Sequence, residues 1–198
     1  MTRLLPAMHR SLLVANRWFV VPALRAGLGP LFSNPVTGSL MVLRTRGRRS
    51  GQWRDAPLGY VIRDGAVYCC AGFGPSTQWL RNVRVDPRVE VVLPAGALSG
   101  NAEEVTDPAE WTPAMRALLA SMGPIGRWTA GDVRAMSDDA LRAHGAGVPL
   151  VRIRVTGLAG GPFDPGGSGW IVVNGALALL AVGWLARAAG RPRAGTRT

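Results

Sequence analysis

Residues 40–70 read LMVLRTRGRRSGQWRDAPLGYVIRDGAVYCC, and this stretch contains the features that decide the fold. Short β-prone runs (SLMVLRTR, PLGYVIR and AVYCCAG) are separated by turn sequences, not by helix-length segments. Asp64-Gly65, between YVIR and AVYCC, is a strong hairpin signal because both residue types tolerate positive φ. The stretch therefore predicts antiparallel strands joined by tight turns.

Downstream, helices are inserted between further strands. The predicted elements are a short helix in STQWLRNVRVDP (76–87), strands in RVEVVLP and SGNAEEVT, helices over 107–122 and 131–143, and a final strand in VPLVRIRVTG. Ser76 is expected to cap the first helix, and Asp107, Pro108 and Glu110 form a capping box for the second. The fold class predicted is mainly β with inserted helices (α+β). The hairpin argues against a doubly wound parallel sheet, and many short strands favour a closed or split β-barrel.

Length, charge and cysteine content limit the classes of domain, ligand and metal site that the chain can have. With 198 residues, 47% of them hydrophobic, the chain can form one domain with a core plus appended segments. The formal net charge is +11, which attracts phosphates, anionic lipids or acidic ligands. Cys69 and Cys70 are adjacent, so in a strand they point to opposite faces and an ordinary disulfide is not expected. They lack the spacing of metal ligands, so no metal site is predicted, and the pattern fits a reducing compartment.

The segment TRGRRSG (45–51) combines two anion-binding features. Glycines after a strand let backbone N–H groups converge into a nest, and arginines add planar forks that match phosphate or carboxylate oxygens. The segment has neither Walker nor GxGxxG spacing, so the pattern alone leaves an anion site and a plain hairpin loop equally open. Nucleic acid is the weaker alternative, because the arginines lie on no helix that could enter a groove.

The ends of the chain carry separate segments. Residues 3–20 have an apolar stripe opposite Arg3, Arg10 and Arg17, which fits either a solvated helix or a basic helix on anionic lipid. Residues 170–186 are apolar apart from Asn174 and are followed by arginines, which favours shallow or hairpin membrane insertion over a full span. The alternative is a helix packed on the barrel or on a partner subunit. The predicted organisation is 1–30 helix and connector, 31–158 barrel domain, 159–169 Gly/Pro linker and 170–198 apolar helix with basic tail.

Seven motifs follow one another in a fixed order: Thr45 to Gly51, Pro57 to Val61, Asp64-Gly65, Ala71 to Gly74, Trp79, Asn82 and Asp86-Pro87. Together they resemble the deazaflavin (F-420)-dependent nitroreductase family, also called the nitroreductase/quinone reductase family. The match is good over 38–94 and only in outline over 95–158. The resemblance implies a split β-barrel that binds coenzyme F-420, an 8-hydroxy-5-deazaflavin, and passes a hydride to a quinone, nitro compound or similar acceptor.

The resemblance also implies a site. Its cofactor-binding residues would be Arg46, Gly47, Arg48, Arg49, Ser50, Gly51, Arg54, Pro57, Ala71, Gly72, Phe73, Gly74, Trp79 and Asn82. Tyr60 would contact the acceptor or the ring as a proton or hydrogen-bond donor, and it equally fits a sheet position with a satisfied hydroxyl. Trp79 also fits a core position, and Asn82 fits a helix brace. Phe73 stands where many members have lysine, which leaves one contact to the coenzyme's acidic tail in question.

We therefore expect an F-420-dependent oxidoreductase, with a small-molecule acceptor, at the cytoplasmic side of the membrane. A cytoplasmic protein, a homodimer, an FMN-dependent split-barrel reductase and a non-catalytic flavin or deazaflavin carrier stay open as alternatives. No nucleic-acid partner is expected.

Overall fold

The computed structural model describes residues 38–93, 96–123, 131–159 and 169–189. Within these, the strands are β1 Leu40–Arg46, β2 Trp53–Gly59, β3 Val61–Arg63, β4 Ala66–Cys70, β5 Arg88–Leu93, β6 Gly96–Glu104 and β7 Leu150–Leu158. The helices are α1 Gln78–Val83, α2 Pro108–Ser121, α3 Asp138–His144 and α4 Gly169–Ala189. Four strands come before the first helix, and helices are then inserted between the later strands, as the sequence predicts.

The seven strands form one antiparallel sheet in the order β2-β1-β5-β6-β7-β4-β3. The two edge strands, β2 and β3, are separated in the chain by Tyr60 alone. One residue spans only about 7 Å between its neighbouring Cα atoms, so the two edges must meet at that corner. The sheet therefore curls into a half-barrel, and the predicted mainly β fold of the split-barrel kind is confirmed.

The corner at Tyr60 corrects one expected strand. PLGYVIR reads as a single strand, but its first part pairs with β1 and its last part pairs with β4. The Tyr60 N–H donates to the Ser39 carbonyl at 3.1 Å, and the Tyr60 carbonyl accepts from the Ser121 hydroxyl at 3.3 Å. These bonds fix the residue where the chain crosses from one edge of the sheet to the other.

The hairpin between β3 and β4 is confirmed. Asp64 has φ +50° and Gly65 has φ +75°, the two positive values that a type I′ turn requires. Aspartate tolerates this conformation better than most side chains, and glycine adopts it without a steric cost.

The core lies inside the curl of the sheet. Met41 and Leu43 of β1, Val91 of β5 and Ile153 of β7 are fully buried there with Leu80 of α1. A second cluster lies where Met115 and Leu118 of α2 pack on Tyr68 and Leu150. Helix α2 thus covers the β3–β4–β7 side of the sheet and leaves the turn after β4 at the edge of the covered region.

The residues that cap α1 and α2 are only partly the predicted ones. Thr77, not Ser76, is the N-cap of α1, and its hydroxyl donates to the Gly74 carbonyl at 2.7 Å. Asp107 caps α2 as predicted, accepting from Ala109 N at 2.9 Å. Glu110 does not complete the capping box, because its carboxylate accepts from Tyr68 Oη at 2.9 Å and from the Arg152 guanidinium.

Helix α3 begins later than the sequence suggests. The predicted helix over 131–143 is a series of turns followed by a helix from Asp138, capped by the Ser137 side chain at 3.3 Å. Gly131 has φ +76°, which no α-helix allows. The chain therefore turns between the end of α2 and α3.

The apolar run near the C-terminus is the helix α4. Its described side chains include Leu177, Leu179, Leu180, Val182 and Trp184, which are 54–75% exposed. Among the residues described, no helix is both long enough and apolar enough to cross a membrane. The predicted helix over 3–20, most of the linker 159–169 and the basic tail after 189 lie outside the described residues.

Candidate functional site

Residues 47–52, here called the Arg-Gly loop, connect β1 to β2. The Gly47 N–H donates to the Gln52 carbonyl at 2.8 Å, and Ser50 N and Gly51 N donate to the Gly47 carbonyl at 3.1 and 2.7 Å. Gly51 has φ +65°, the conformation that closes the loop. These three N–H groups therefore donate within the loop and do not converge on one outside point.

Arg48 fixes the loop to α1. The Asn82 side-chain carbonyl accepts from Arg48 N at 3.2 Å and from Arg48 Nη1 at 3.1 Å, and Arg48 Nη2 donates to Gln78 at 3.0 Å. The Asn82 amide donates in turn to the Thr45 hydroxyl at 3.2 Å. Asn82 is only 5% exposed, so the structure places it as a brace between loop, strand and helix.

The other arginines of the loop region face outward. Arg46 and Arg54 are exposed, Arg46 stacks 4.7 Å from the Trp53 ring centre, and Arg54 donates to Gln52 at 3.3 Å. Arg49 is exposed, and within the described part of the chain its guanidinium makes no hydrogen bond or ion pair. These guanidinium groups give the loop a positive outer surface.

Arg44, in β1, is buried, unlike the arginines of the loop. It is buried between the carboxylates of Asp55, at 3.2 Å, and Glu90, and it lies 5.1 Å from the Trp53 ring centre. The two carboxylates compensate the charge of the desolvated guanidinium, so Arg44 links neighbouring strands of the sheet and is not a candidate to bind an external anion.

The turn at 71–74 follows β4 and leads into α1. Ala71 is buried and its N–H donates to the Pro149 carbonyl at 2.9 Å, while Gly74 N donates back to the Ala71 carbonyl at 2.7 Å. Gly74 has φ +80°, whereas Gly72 opens onto empty space and Phe73 is 56% exposed. The turn is thus anchored on one side and open on the other, and α1 connects it to Arg48.

Two predicted cofactor residues lie in the sheet and core. Trp79 is 7% exposed within the main core cluster, which matches the core alternative for this residue. Pro57 is half-buried in β2, where it pairs with Val42. Neither presents an open surface beside the Arg-Gly loop.

Tyr60 lies at the other end of the β1–β2 hairpin from the Arg-Gly loop. Seven residues of β1 separate the two ends, roughly 20 Å at the rise of a strand. Extending the β3–β4 pairing by one residue places Tyr60 opposite Cys69, close to the 71–74 turn. The Tyr60 ring packs against the core, and this burial raises the pKa of its hydroxyl, which therefore stays protonated at neutral pH.

The adjacent cysteines are buried thiols. Cys69 points into the core, Cys70 is half-buried, and the two form no disulfide. Burial raises the pKa of Cys69, and it raises the pKa of Cys70 to about 11. Neither is a thiolate nucleophile at neutral pH.

A cavity of about 430 Å³ was not predicted. Its walls are Pro75, Glu104, Val105, Thr106, Pro108, Trp111, Arg142, Gly145, Ala146, Gly147, Val148, Pro149 and Leu150. The lining comes from three stretches that are distant in sequence, and no single motif marks it. It adjoins the 71–74 turn through Pro75 and Pro149.

Comparison with known proteins places the chain in a family. The model of the F420H(2)-dependent quinone reductase family matches residues 23–132, more than half of the chain. This region contains the Arg-Gly loop, the 71–74 turn, α1 and all the residues predicted to bind cofactor.

The chain is also similar to several solved structures, each at 20% sequence identity or less. A candidate 5-nitroimidazole antibiotic resistance protein from Bacteroides thetaiotaomicron is 14% identical, with 61% of this chain and 74% of that chain covered and a TM-score of 0.47. A conserved hypothetical protein from Mycobacterium tuberculosis is 20% identical, with 61% and 74% covered and a TM-score of 0.42. A protein described as F420-H2 dependent reductase FDR-A is 19% identical, with 58% and 93% covered and a TM-score of 0.44.

The assignment follows from the family model, which spans all of β1–β6 together with the Arg-Gly loop. The chain belongs to the F420H(2)-dependent quinone reductase family.

Proposed function

We propose that this protein catalyses hydride transfer from reduced coenzyme F-420 to a quinone, with nitro compounds as secondary acceptors. The observation that carries the proposal is the Arg-Gly loop, which is held rigid by Arg48 and Asn82 and presents Arg46, Arg49 and Arg54 outward. Helix α1 connects this loop to the small-residue turn at 71–74, since Asn82 and Gln78 accept from Arg48 and the Thr77 hydroxyl donates to the Gly74 carbonyl. Family membership supplies the coenzyme and acceptor class.

The residues present fit an elongated anionic coenzyme. Side chains at Gly51 and Gly72 would meet nothing within 4 Å, so the backbone is open to a ligand at both the loop and the turn. Arg46, Arg49, Arg54 and Ser50 would contact the phosphate and the acidic tail, because planar forks pair with such oxygens. The 71–74 turn would approach the ring with its backbone, and Arg48, Asn82 and Trp79 would hold the walls in place.

When held by these residues, reduced coenzyme F-420 would supply a hydride, and a quinone acceptor would need one proton in addition to that hydride to become a hydroquinone. The chain's own task is to bind, orient and exclude water. Tyr60, held protonated by burial near the 71–74 turn, is our candidate donor of a hydrogen bond or proton to the acceptor. Tyr60→Phe should lower kcat with little change in coenzyme affinity, and an unchanged kcat would exclude this role.

Coenzyme binding tests the loop assignment. Arg49→Ala should weaken binding of coenzyme F-420 by about 1.5–3 kcal/mol, the usual contribution of a charged hydrogen bond. Calorimetric titration measures the change, and Arg134→Ala, which removes the same charge from an exposed residue outside the site, is the matched control. Equal affinity in the two variants would show that the loop does not hold the coenzyme.

We also propose that α4 brings the protein to an anionic membrane surface. Apart from Asn174, its described side chains are apolar and exposed, and in the sequence Arg187, Arg191, Arg193 and Arg197 follow them. Removing residues 168–198 should abolish flotation with vesicles that contain anionic lipid. Full retention of flotation would reject the assignment.

A further inference from the structure

We propose that Trp53 is a positioning residue for the coenzyme site, whose indole ring holds the Arg46 guanidinium at the edge of the Arg-Gly loop. The inference rests on the proposed function, because Arg46 is assigned there to the anionic groups of coenzyme F-420. Trp53 is not one of the residues that the family resemblance marks, and it acts through Arg46, not by contact with the coenzyme.

Trp53 and Arg46 form the last pair of the β1–β2 hairpin before the Arg-Gly loop. Residues directly opposite each other on antiparallel strands point to the same face of the sheet, so the indole and the guanidinium meet there. The guanidinium carbon of Arg46 lies 4.7 Å from the ring centre, inside the limit of about 6 Å for a cation–π contact. Arg46 Nη1 also donates to the Gly51 carbonyl at 3.3 Å, which places the charge beside the open backbone of the loop.

Arg44 gives the Trp53 ring a fixed neighbour. It lies two residues before Arg46 in β1, on the same face of the sheet, and its guanidinium carbon is 5.1 Å from the ring centre. The Arg44 guanidinium donates to Asp55 at 3.2 Å and to Glu90, and the residue is only 6% exposed. Because a buried and doubly paired side chain has little freedom, the ring packs on an ordered part of the sheet and in turn orders an exposed guanidinium.

Arg46 has a charge that is available to a ligand. Within the described residues it makes no ion pair with a carboxylate. Hydrogen bonds from Arg88 lower the pKa of Asp86, and the charge of Arg46 adds to this effect. The Asp86 carboxylate nevertheless accepts from Arg88, at 2.9 Å from Nε and 3.0 Å from Nη2, and not from Arg46. Stacking occupies the face of the Arg46 guanidinium and leaves its in-plane N–H groups for carboxylate or phosphate oxygens.

The stacked conformation should increase affinity for the anionic part of the coenzyme. A long exposed side chain loses rotamer freedom when it binds a ligand, and this loss opposes binding. An arginine that is ordered before the ligand arrives loses less. Trp53 should therefore affect how tightly the phosphate and acidic tail are bound, and not the rate of hydride transfer once the coenzyme is in place.

Binding of oxidised coenzyme F-420 to the full chain tests this role. Trp53→Leu removes the aromatic face and should weaken binding about five-fold in calorimetric titration. Trp53→Phe keeps a ring face and should stay within about two-fold of the unchanged protein. Trp111→Leu, the same change at a half-buried tryptophan of α2, is the matched control and should leave the affinity unchanged.

Three further measurements separate positioning from a general loss of structure. Affinity for the deazaflavin riboside, which lacks the phosphate and the acidic tail, should be equal in all variants. With reduced coenzyme, Trp53→Leu should raise KM for the coenzyme and leave kcat unchanged. In the Arg46→Ala background, Trp53→Leu should have no further effect on coenzyme affinity, because the ring acts through that guanidinium.

The outcomes are distinguishable. Coenzyme affinity of Trp53→Leu within about two-fold of the unchanged protein overturns the inference, as do an equal loss for the riboside and additive effects of Trp53→Leu and Arg46→Ala. If Trp53→Leu does not fold, Trp53→Val, which introduces a β-branched side chain suited to a strand, replaces it. Absence of coenzyme binding by the unchanged protein would reject the proposed function together with the role of Trp53, whereas intact coenzyme binding by Trp53→Leu would reject that role alone.

Discussion

At the residue scale, Arg48 and Asn82 are both expected to contact the cofactor, and in the structure they hydrogen-bond to each other. The sequence marks both residues by resemblance, but only the fold brings Arg48 to Gln78 and Asn82 of α1. An exposed arginine and a buried one look identical in a sequence, as Arg49 and Arg44 demonstrate. Asp64-Gly65 and the Asp107 cap could be predicted because their effects are local.

Loss of the Asn82 brace should destabilise the protein. Asn82→Ala removes three hydrogen bonds of a buried side chain and leaves the Arg48 N–H and the Thr45 hydroxyl without their partner. The free energy of unfolding should fall by about 1–3 kcal/mol, measured by urea denaturation. Arg81→Ala, on the exposed side of the same helix, should change it by no more than about 0.5 kcal/mol. Equal effects of the two changes would contradict the bracing role.

At the element scale, the strands and side chains with which a segment pairs decide which secondary structure or contact its sequence pattern forms. PLGYVIR has uniform strand character, so its division at Tyr60 between the two edges of the sheet has no local signal. The same holds for Glu110, which has capping-box spacing but is drawn to Arg152 on β7. Tertiary ion pairs of this kind cannot be read from spacing within one helix.

Ion pairs between elements should make stability depend on pH. Hydrogen bonds from Arg84 at the end of α1 lower the pKa of Glu104 on β6, and those from Arg154 and Arg152 lower the pKa of Glu103. Depressed folded pKa values give stability that is present above the unfolded pKa and is lost as pH falls through the folded one. The temperature at which half of the protein is unfolded should therefore decrease as the pH is lowered from roughly 5 to 3.

Glu104→Gln tests how much the Arg84–Glu104 ion pair contributes to the pH dependence of stability. The variant should be less stable than the unchanged protein at pH 7, and the difference should shrink as the pH is lowered toward 3 and Glu104 takes up a proton. Thermal unfolding at the two pH values measures it. A difference of the same size at both values would show that the Arg84–Glu104 ion pair does not act through the carboxylate charge.

At the scale of the whole molecule, one sheet positions every part of the proposed site. Its curl brings Tyr60 and the 71–74 turn to the same end of β4, while the Arg-Gly loop closes the far end of β1. The β class and the hairpins could be predicted from alternating apolar runs and turn residues. The cavity under Trp111 could not, because three distant stretches form it only after the sheet has closed.

Turnover tests the central claim most directly. The full chain is mixed with reduced coenzyme F-420 and menadione, and reoxidation is followed at the deazaflavin absorbance. We predict saturable, protein-dependent reoxidation that is weakened by Arg49→Ala and unaffected by Arg134→Ala. Tight coenzyme binding without reoxidation across a panel of quinones and nitro compounds would contradict the account and identify the protein as a coenzyme carrier.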